Sequence, residues 1–267
     1  MAVTSKRVVD MKNFKSKIRR YWKITDHRLI NWFLGFQTKR DQKYRTISIN
    51  QKAYIEAMVE KFKLTRAKKI STPMDLNVHF SIQQLPSSLK QDICMRGVPY
   101  AEAIGLVLWP TVVSRPETTF AVGVLSQFIQ NLKPAHWEGV KKIISYMGST
   151  KDLWLTFGGN KESLLEEYCN ANWASQPHCH SILGFSCHFG HGVISWSSKK
   201  QHVITLLSTK AEYIAETHAA KEGIWLKSFI DEITGKQPGP LTIMGDNQGA
   251  FALVKDNKFH ARTSTST

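Results

Sequence analysis

The sequence predicts an α/β (α+β) chain, and three observations carry that prediction. Amphipathic segments with helical spacing occupy the first two thirds. The last hundred residues run strand, strand, strand, long helix, strand, short helix, the order of a mixed sheet with helices packed on it. A content of 42% hydrophobic and 10% aromatic residues supports a buried core and argues against a fibrous or disordered chain.

In order along the chain, residues 11–23 place Met11, Phe14, Ile18 and Trp22 at helical spacing with Lys12, Lys15, Lys17, Arg19 and Arg20 between them. Asn31–Lys39 and Tyr44–Asn50 read as two strands around a polar turn, Arg40–Lys43. Gln51–Leu64 is an amphipathic helix with Tyr54, Ile55, Met58, Val59 and Phe62 on one stripe, the pattern of core packing. Residues 65–98 lose periodicity and gather Pro73, Pro86, Ser87, Ser88 and Gly97, which reads as a connector. Helices over Pro99–Val113, Glu117–Asn131 and Pro134–Ser149 follow, each opening at or near a proline, which suits a first helical turn. Asp152–Phe157 reads as a strand ahead of a Gly158-Gly159-Asn160 boundary. Strands are expected over Leu164–Trp173, Ile182–Phe189 and Val193–Ser197. A helix over Thr209–Ile233 should stop at Gly235 and Pro238, before a strand at Leu241–Gly245 and a helix at Asn247–Lys255.

The net charge of +15 is unevenly distributed. Residues 1–70 hold 19 lysines and arginines against 5 acids, while the rest of the chain is nearly balanced. A one-sided basic excess is the footprint of a polyanion partner; a solvated basic face or a mitochondrial-type presequence are the plainer readings. The basic first 20 residues lack the apolar stretch of a secretory signal, no run is long enough to span a membrane, and four scattered cysteines suggest a reducing compartment. A cytoplasmic or nuclear location, without secretion or membrane partner, is the expectation.

Chemistry-bearing residues gather near the C-terminal strand ends. Asn170 and Asn172 lie on the first of those strands, Glu212 early in the long helix, and Asp246 at the close of the fourth strand. Carboxylates converging at one end of a sheet hold divalent metal. By spacing alone Asp246 equally reads as a helix N-cap, and Glu212 as a first-turn acid complementing the helix dipole. His178, Cys179, His180, Cys187, His188 and His191 fall within 14 positions, but their spacing fits no standard zinc pattern and neighbours on a strand point to opposite faces.

YCNANWAS (Tyr168–Ser175), GVISWSSKKQ (Gly192–Gln201), LSTKAEYIAETHAAKEGIWL (Leu207–Leu226) and GDNQGAFAL (Gly245–Leu253) resemble, in collinear order, the ribonuclease H domain of copia-type retrotransposon Pol polyproteins. WFLGFQTKRD (Trp32–Asp41), ISINQKAYIEAMVEKF (Ile47–Phe62) and STPMD (Ser71–Asp75) are similar to the end of the reverse transcriptase. PYAEAIG, SRPETTFAVGVLSQF and AHWEGVKKIISYMGSTKDLWLTFGG, within residues 99–159, are similar to the connecting region. The resemblance implies three parts: a basic helix–hairpin–helix end of the reverse transcriptase palm and thumb (1–75), a linker with helical connection (76–158), and a ribonuclease H-like mixed-sheet domain (160–267), incomplete at its C-terminus.

The resemblance also implies a two-Mg²⁺ carboxylate site. Its first acid comes from a D-A-D-W motif, where this chain has Asn170 and Asn172; the second is Glu212 and the third Asp246. The family's fourth acid lies downstream, where the ending FHARTSTST departs from the family's continuation. No Asp-Asp pair of the polymerase kind occurs. The expectation is a truncated Pol fragment that binds nucleic acid, an RNA–DNA hybrid or another form, through Lys12, Lys15, Lys17, Arg19 and Arg20, with catalysis and Mg²⁺ binding impaired or lost. Other parts of a retroelement polyprotein are expected partners. The alternatives are an active Mg²⁺-dependent ribonuclease H acting through Glu212, Asp246 and Asn170, and a relic that folds poorly.

Overall fold

A computed structural model describes residues 7–26, 29–75, 80, 95, 97–159, 164–176, 180–205, 207–235 and 239–255. Helix α1 (Val8–Tyr21) is followed by a sheet of β1 (Trp32–Phe33), β2 (Phe36–Asp41) and β3 (Thr46–Asn50). Next come α2 (Lys52–Lys61), α3 (Tyr100–Val113), a 3₁₀ turn (Pro116–Thr118), α4 (Thr119–Ser126), α5 (Pro134–Ser149) and β4 (Leu155–Gly158). The last part contains β5 (Glu166–Gln176), β6 (His180–Phe189), β7 (Gly192–Lys200), α6 (Ser208–Thr234), β8 (Thr242–Met244) and α7 (Gln248–Lys255). The α/β class expected from sequence is the class observed. Much of the 76–98 connector, Pro238 and the FHARTSTST ending lie outside the described residues.

Two four-stranded sheets organise the chain. The first, ordered β1-β2-β3-β4, is antiparallel throughout. The second, ordered β7-β6-β5-β8, is mixed because β8 runs parallel to β5. The single strand expected over Asn31–Lys39 is instead two. Leu34 (φ 47°) and Gly35 (φ 82°) both adopt the left-handed region and form a two-residue hairpin loop that pairs Phe33 with Phe36. The next turn starts after Asp41 rather than at Arg40, because the Asp41 carboxylate accepts the Tyr44 backbone N–H at 3.1 Å. The helix expected over Glu117–Asn131 ends at Ser126. Beyond it the backbone bonds run three residues apart, from Phe128 to Leu125 and from Asn131 to Phe128.

The main core lies among α2 to α5, with Ile55, Val107, Leu125, Ile143, Ile144 and Met147 almost fully buried. Pro110 sits inside α3 and cannot donate to the Leu106 carbonyl; the Tyr54 hydroxyl donates to it instead at 2.9 Å. Buried Asn50 ties three segments together. Its Oδ1 accepts the Lys52 N–H at the start of α2, and its amide donates to the carbonyls of Lys151 and Leu153. Arg115, also buried, bonds Glu117 at 2.6 Å and Thr150, and lies 5.5 Å from the Tyr146 ring centre.

The two sheets are joined. Gly158 N–H donates to Gly190 O at 2.6 Å, and the Trp196 indole N–H donates to Thr111 O at 2.9 Å. Ile182 of β6 belongs to the main core. Gly192 starts β7 so close to β4 that an added Cβ would overlap the Phe157 ring and the Thr156 carbonyl oxygen. Gly192→Val is therefore expected to push β4 and β7 apart and to destabilise the chain by roughly 1–3 kcal/mol. Urea unfolding measures this, and an unchanged midpoint would contradict the close approach. Among the described residues, no helix is long and apolar enough to cross a membrane.

Candidate functional site

The strand pleat sorts the second sheet into two faces. Cys169, Ala171, Leu183, Phe185 and Cys187 point toward α6 and form two small cores with Ala211, Ala215, Ala219 and Leu226. The opposite face is set by register. Tyr168, Ser186 and Trp196 form one cross-strand row, Asn170, Gly184 and Ser198 the next, and Asn172, Ile182 and Lys200 the third. The 3₁₀ turn and α4 stand over this face and leave a cavity of about 940 Å³, with Glu117 and Phe120 on one wall and Tyr168, Asn170, Trp196 and Asp246 on the other.

The structure brings Asn170, Glu212 and Asp246 to one end of this sheet. Tyr168 pairs with Met244 across the parallel β5–β8 ladder, so two residues further on Asn170 comes level with Asp246, and both line the cavity. Glu212 reaches the same end from the first turns of α6, where the backbone N–H of Ala171 favours its charged form. Burial raises the Glu212 carboxyl above its ordinary range; the charges of Asp246 and Glu216 raise it further, and the Ala171 N–H opposes them.

Neither capping role holds. Asn247, not Asp246, caps α7, its Oδ1 accepting the Ala250 N–H at 3.0 Å. The first turn of α6 holds no acid, so Glu212 stands beyond it and faces β5.

Two acids were missed in the sequence. Glu216, one helical turn beyond Glu212, is 6% exposed; its Oε2 has no hydrogen-bond partner among the described residues, and burial raises its carboxyl. Its signal was the four-residue spacing on one helix face. Glu167 is completely buried on the α6 side of β5. The Cys187 thiol donates to its Oε1 at 2.7 Å, while Oε2 lies against Gly223 with no hydrogen-bond partner among the described residues. Burial pushes Glu167 up to about 7, with a further push from the Glu222 charge, although the thiol hydrogen bond works against both. Its signal was strict alternation with Cys169 and Ala171.

A pair of Mg²⁺ ions needs carboxylates that bridge them. Here Asn170 brings an uncharged amide beside Asp246, and the described residues contain no group of three or more His, Cys, Asp or Glu side chains that could hold a metal ion. These residues do not fit a two-metal centre. The zinc candidates do not converge either: Cys187 is committed to Glu167, His180 Nδ1 is 2.9 Å from Gln201 O, and His188 Nε2 is 3.2 Å from Ser186 Oγ. His178 and Cys179 lie outside the described residues.

Of the basic residues on α1, Lys15 pairs with Asp26 at 2.8 Å and Arg19 lies 4.0 Å from the same acid. Lys12, Lys17 and Arg20 make no ion pair with a described residue, and α1 buries none of its side chains. Lys12, Lys17 and Arg20 are exposed and open to a partner.

No family model matches the chain. It is 37% identical over 231 residues to the retrovirus-related Pol polyprotein from transposon TNT 1-94 of Nicotiana tabacum, which covers 86% of this chain and 17% of that polyprotein. Secreted RxLR effector protein 161 of Plasmopara viticola is 38% identical over 133 residues, 49% of this chain and 94% of that protein. The Pol polyprotein from transposon RE2 of Arabidopsis thaliana is 26% identical over 261 residues, 97% of this chain and 17% of that polyprotein. The chain thus spans about one sixth of the length of the Pol polyproteins it matches. With collinear similarity over nearly its whole length, the chain belongs to the copia-type retrotransposon Pol polyproteins.

Proposed function

We propose that this chain is a nucleic-acid-binding segment of a transposon Pol polyprotein in which ribonuclease H chemistry is impaired or lost. The observation that carries the binding is α1. It holds five cations on a helix that buries nothing, within a region of 19 basic residues against 5 acidic ones. Polyanions suit such a face because neutralised phosphates release their counterions. RNA–DNA hybrid is the form that the family resemblance suggests.

Impaired catalysis rests on Asn170. Its amide oxygen can touch a hard cation but adds no charge, leaving Glu212 and Asp246 as the two acids at the first three ligand positions of the resembling site. What the residues do without metal is bind: the amide presents a donor and an acceptor on a surface where a carboxylate would repel phosphate.

The test is hybrid binding by fluorescence anisotropy at increasing salt, together with a cleavage assay in Mg²⁺. If three to five phosphates are neutralised, affinity should fall roughly 40- to 500-fold between 50 and 200 mM salt, with little or no cleavage. Binding insensitive to salt would overturn the polyanion reading. Robust Mg²⁺-dependent cleavage by the unmodified chain would overturn the impairment and favour an active ribonuclease H.

A further inference from the structure

We infer that the cavity between α4 and the open face of the second sheet is a binding track for single-stranded nucleic acid, distinct from the basic face of α1. The inference rests on the nucleic-acid reading above and adds a second site of its own.

Four features point to one unpaired strand. Tyr168 and Trp196 stand in one cross-strand row with only Ser186 between them, and Trp196 is held by its hydrogen bond to Thr111 O. Two aromatic rings separated by a small residue form a platform on which bases stack, whatever their sequence. Asn170 and Gly184 share the next row, so an amide able to donate and accept stands beside a floor that lacks a side chain. The strip then leads past Ser198 into an adjoining cavity of about 270 Å³ bordered by Lys200, which supplies positive charge for a phosphate.

The opposite end of the track carries Asp246 and Glu117; Glu117 is already neutralised by Arg115 at 2.6 Å. An aspartate at position 170 would add a third acid beside Asp246 and Glu212 and repel the backbone, whereas the asparagine present adds no charge. Finally, α4 borders the cavity through Thr119 and Phe120 and leaves Tyr168 exposed. A duplex presents phosphates on its outside and stacked bases within, so it cannot lay base faces on Tyr168. An unpaired strand can.

The experiment measures binding of a fluorescein-labelled single-stranded polyuridine to the full chain by anisotropy, in EDTA so that no cleavage intervenes. Tyr168 and Asn170 are both exposed, so their variants should fold, and thermal melts check this. Tyr168→Ala is expected to weaken single-strand binding roughly 5- to 150-fold. Tyr168→Phe keeps the ring and should stay within about twofold, and Asn170→Asp should weaken binding about tenfold. Hybrid duplex binding should be unchanged by Tyr168→Ala but fall when Lys12, Lys17 and Arg20 are changed together to alanine. Photocrosslinking of a thiouridine-containing strand to the unmodified chain should label Tyr168, Trp196 or Phe120. Single-strand binding that survives Tyr168→Ala and Asn170→Asp yet disappears with the α1 variant overturns the track and leaves the proposed function standing. Crosslinks confined to α1 have the same meaning. Failure of the unmodified chain to bind either nucleic acid overturns both.

Discussion

Glu167→Gln is expected to raise the melting temperature by several degrees at pH 8 and to leave it nearly unchanged at pH 5. Glu167 is fully buried, and Cys187 from β6, Glu222 and Gly223 from α6 face it without bringing a cation. Its carboxyl is pushed up to about 7, above the ordinary 4.5. The native state therefore keeps its proton while the unfolded chain releases one. Stability from this group is fully present below about pH 4.5 and is lost as pH rises through the folded value near 7. At 1.36 kcal/mol per unit, the cost above that point is on the order of 3 kcal/mol. Glutamine accepts the same thiol hydrogen bond and never ionises. Paired thermal melts across pH 5 to 8 measure the difference, and a variant whose advantage does not grow with pH would refute the buried-acid account.

Ile143→Ala is expected to lower stability by roughly 2–5 kcal/mol, the range for removing a large aliphatic side chain from a core that cannot fully collapse. Ile143 is 0% exposed on α5, in the cluster where α2, α3 and α4 meet. Ile182 from the second sheet belongs to that cluster as well. The loss should therefore appear as one cooperative urea transition shifted to lower denaturant. Two separate transitions, only one of them shifted, would show that the sheets unfold independently.

The helices were legible because their apolar spacing is a local property. α2, α3, α5 and α6 fall within a few residues of where their periodicity and flanking prolines or glycine put them. The break at Leu34 was not legible, since a leucine with positive φ is a poor turn signal and only Gly35 hints at it. Capping was misread for a physical reason: Asp246 and Asn247 are both good caps, and only three-dimensional placement shows that Asn247 takes the role and frees Asp246 for the cavity. Asn170, Glu212 and Asp246 stood out by their places at element ends, but spacing left helix capping as the plainer reading and only the resemblance gave them ligand roles. The row pairing Tyr168 with Ser186 and Trp196 depends on strand register, which no single segment encodes.

The pairing of β3 with β4 sets an order of assembly during synthesis. Ser48 and Thr156 share a hydrogen bond across 108 positions, and the intervening chain contains the whole helical core. As the polypeptide leaves the ribosome, β3 waits with one edge unpaired until residue 158 has emerged, and long-range closure of this kind is slow. That bare edge is a template for a neighbouring nascent chain. Any expression boundary between residues 75 and 155 would make the wait permanent, giving two fragments that each carry an open strand edge and invite each other's company.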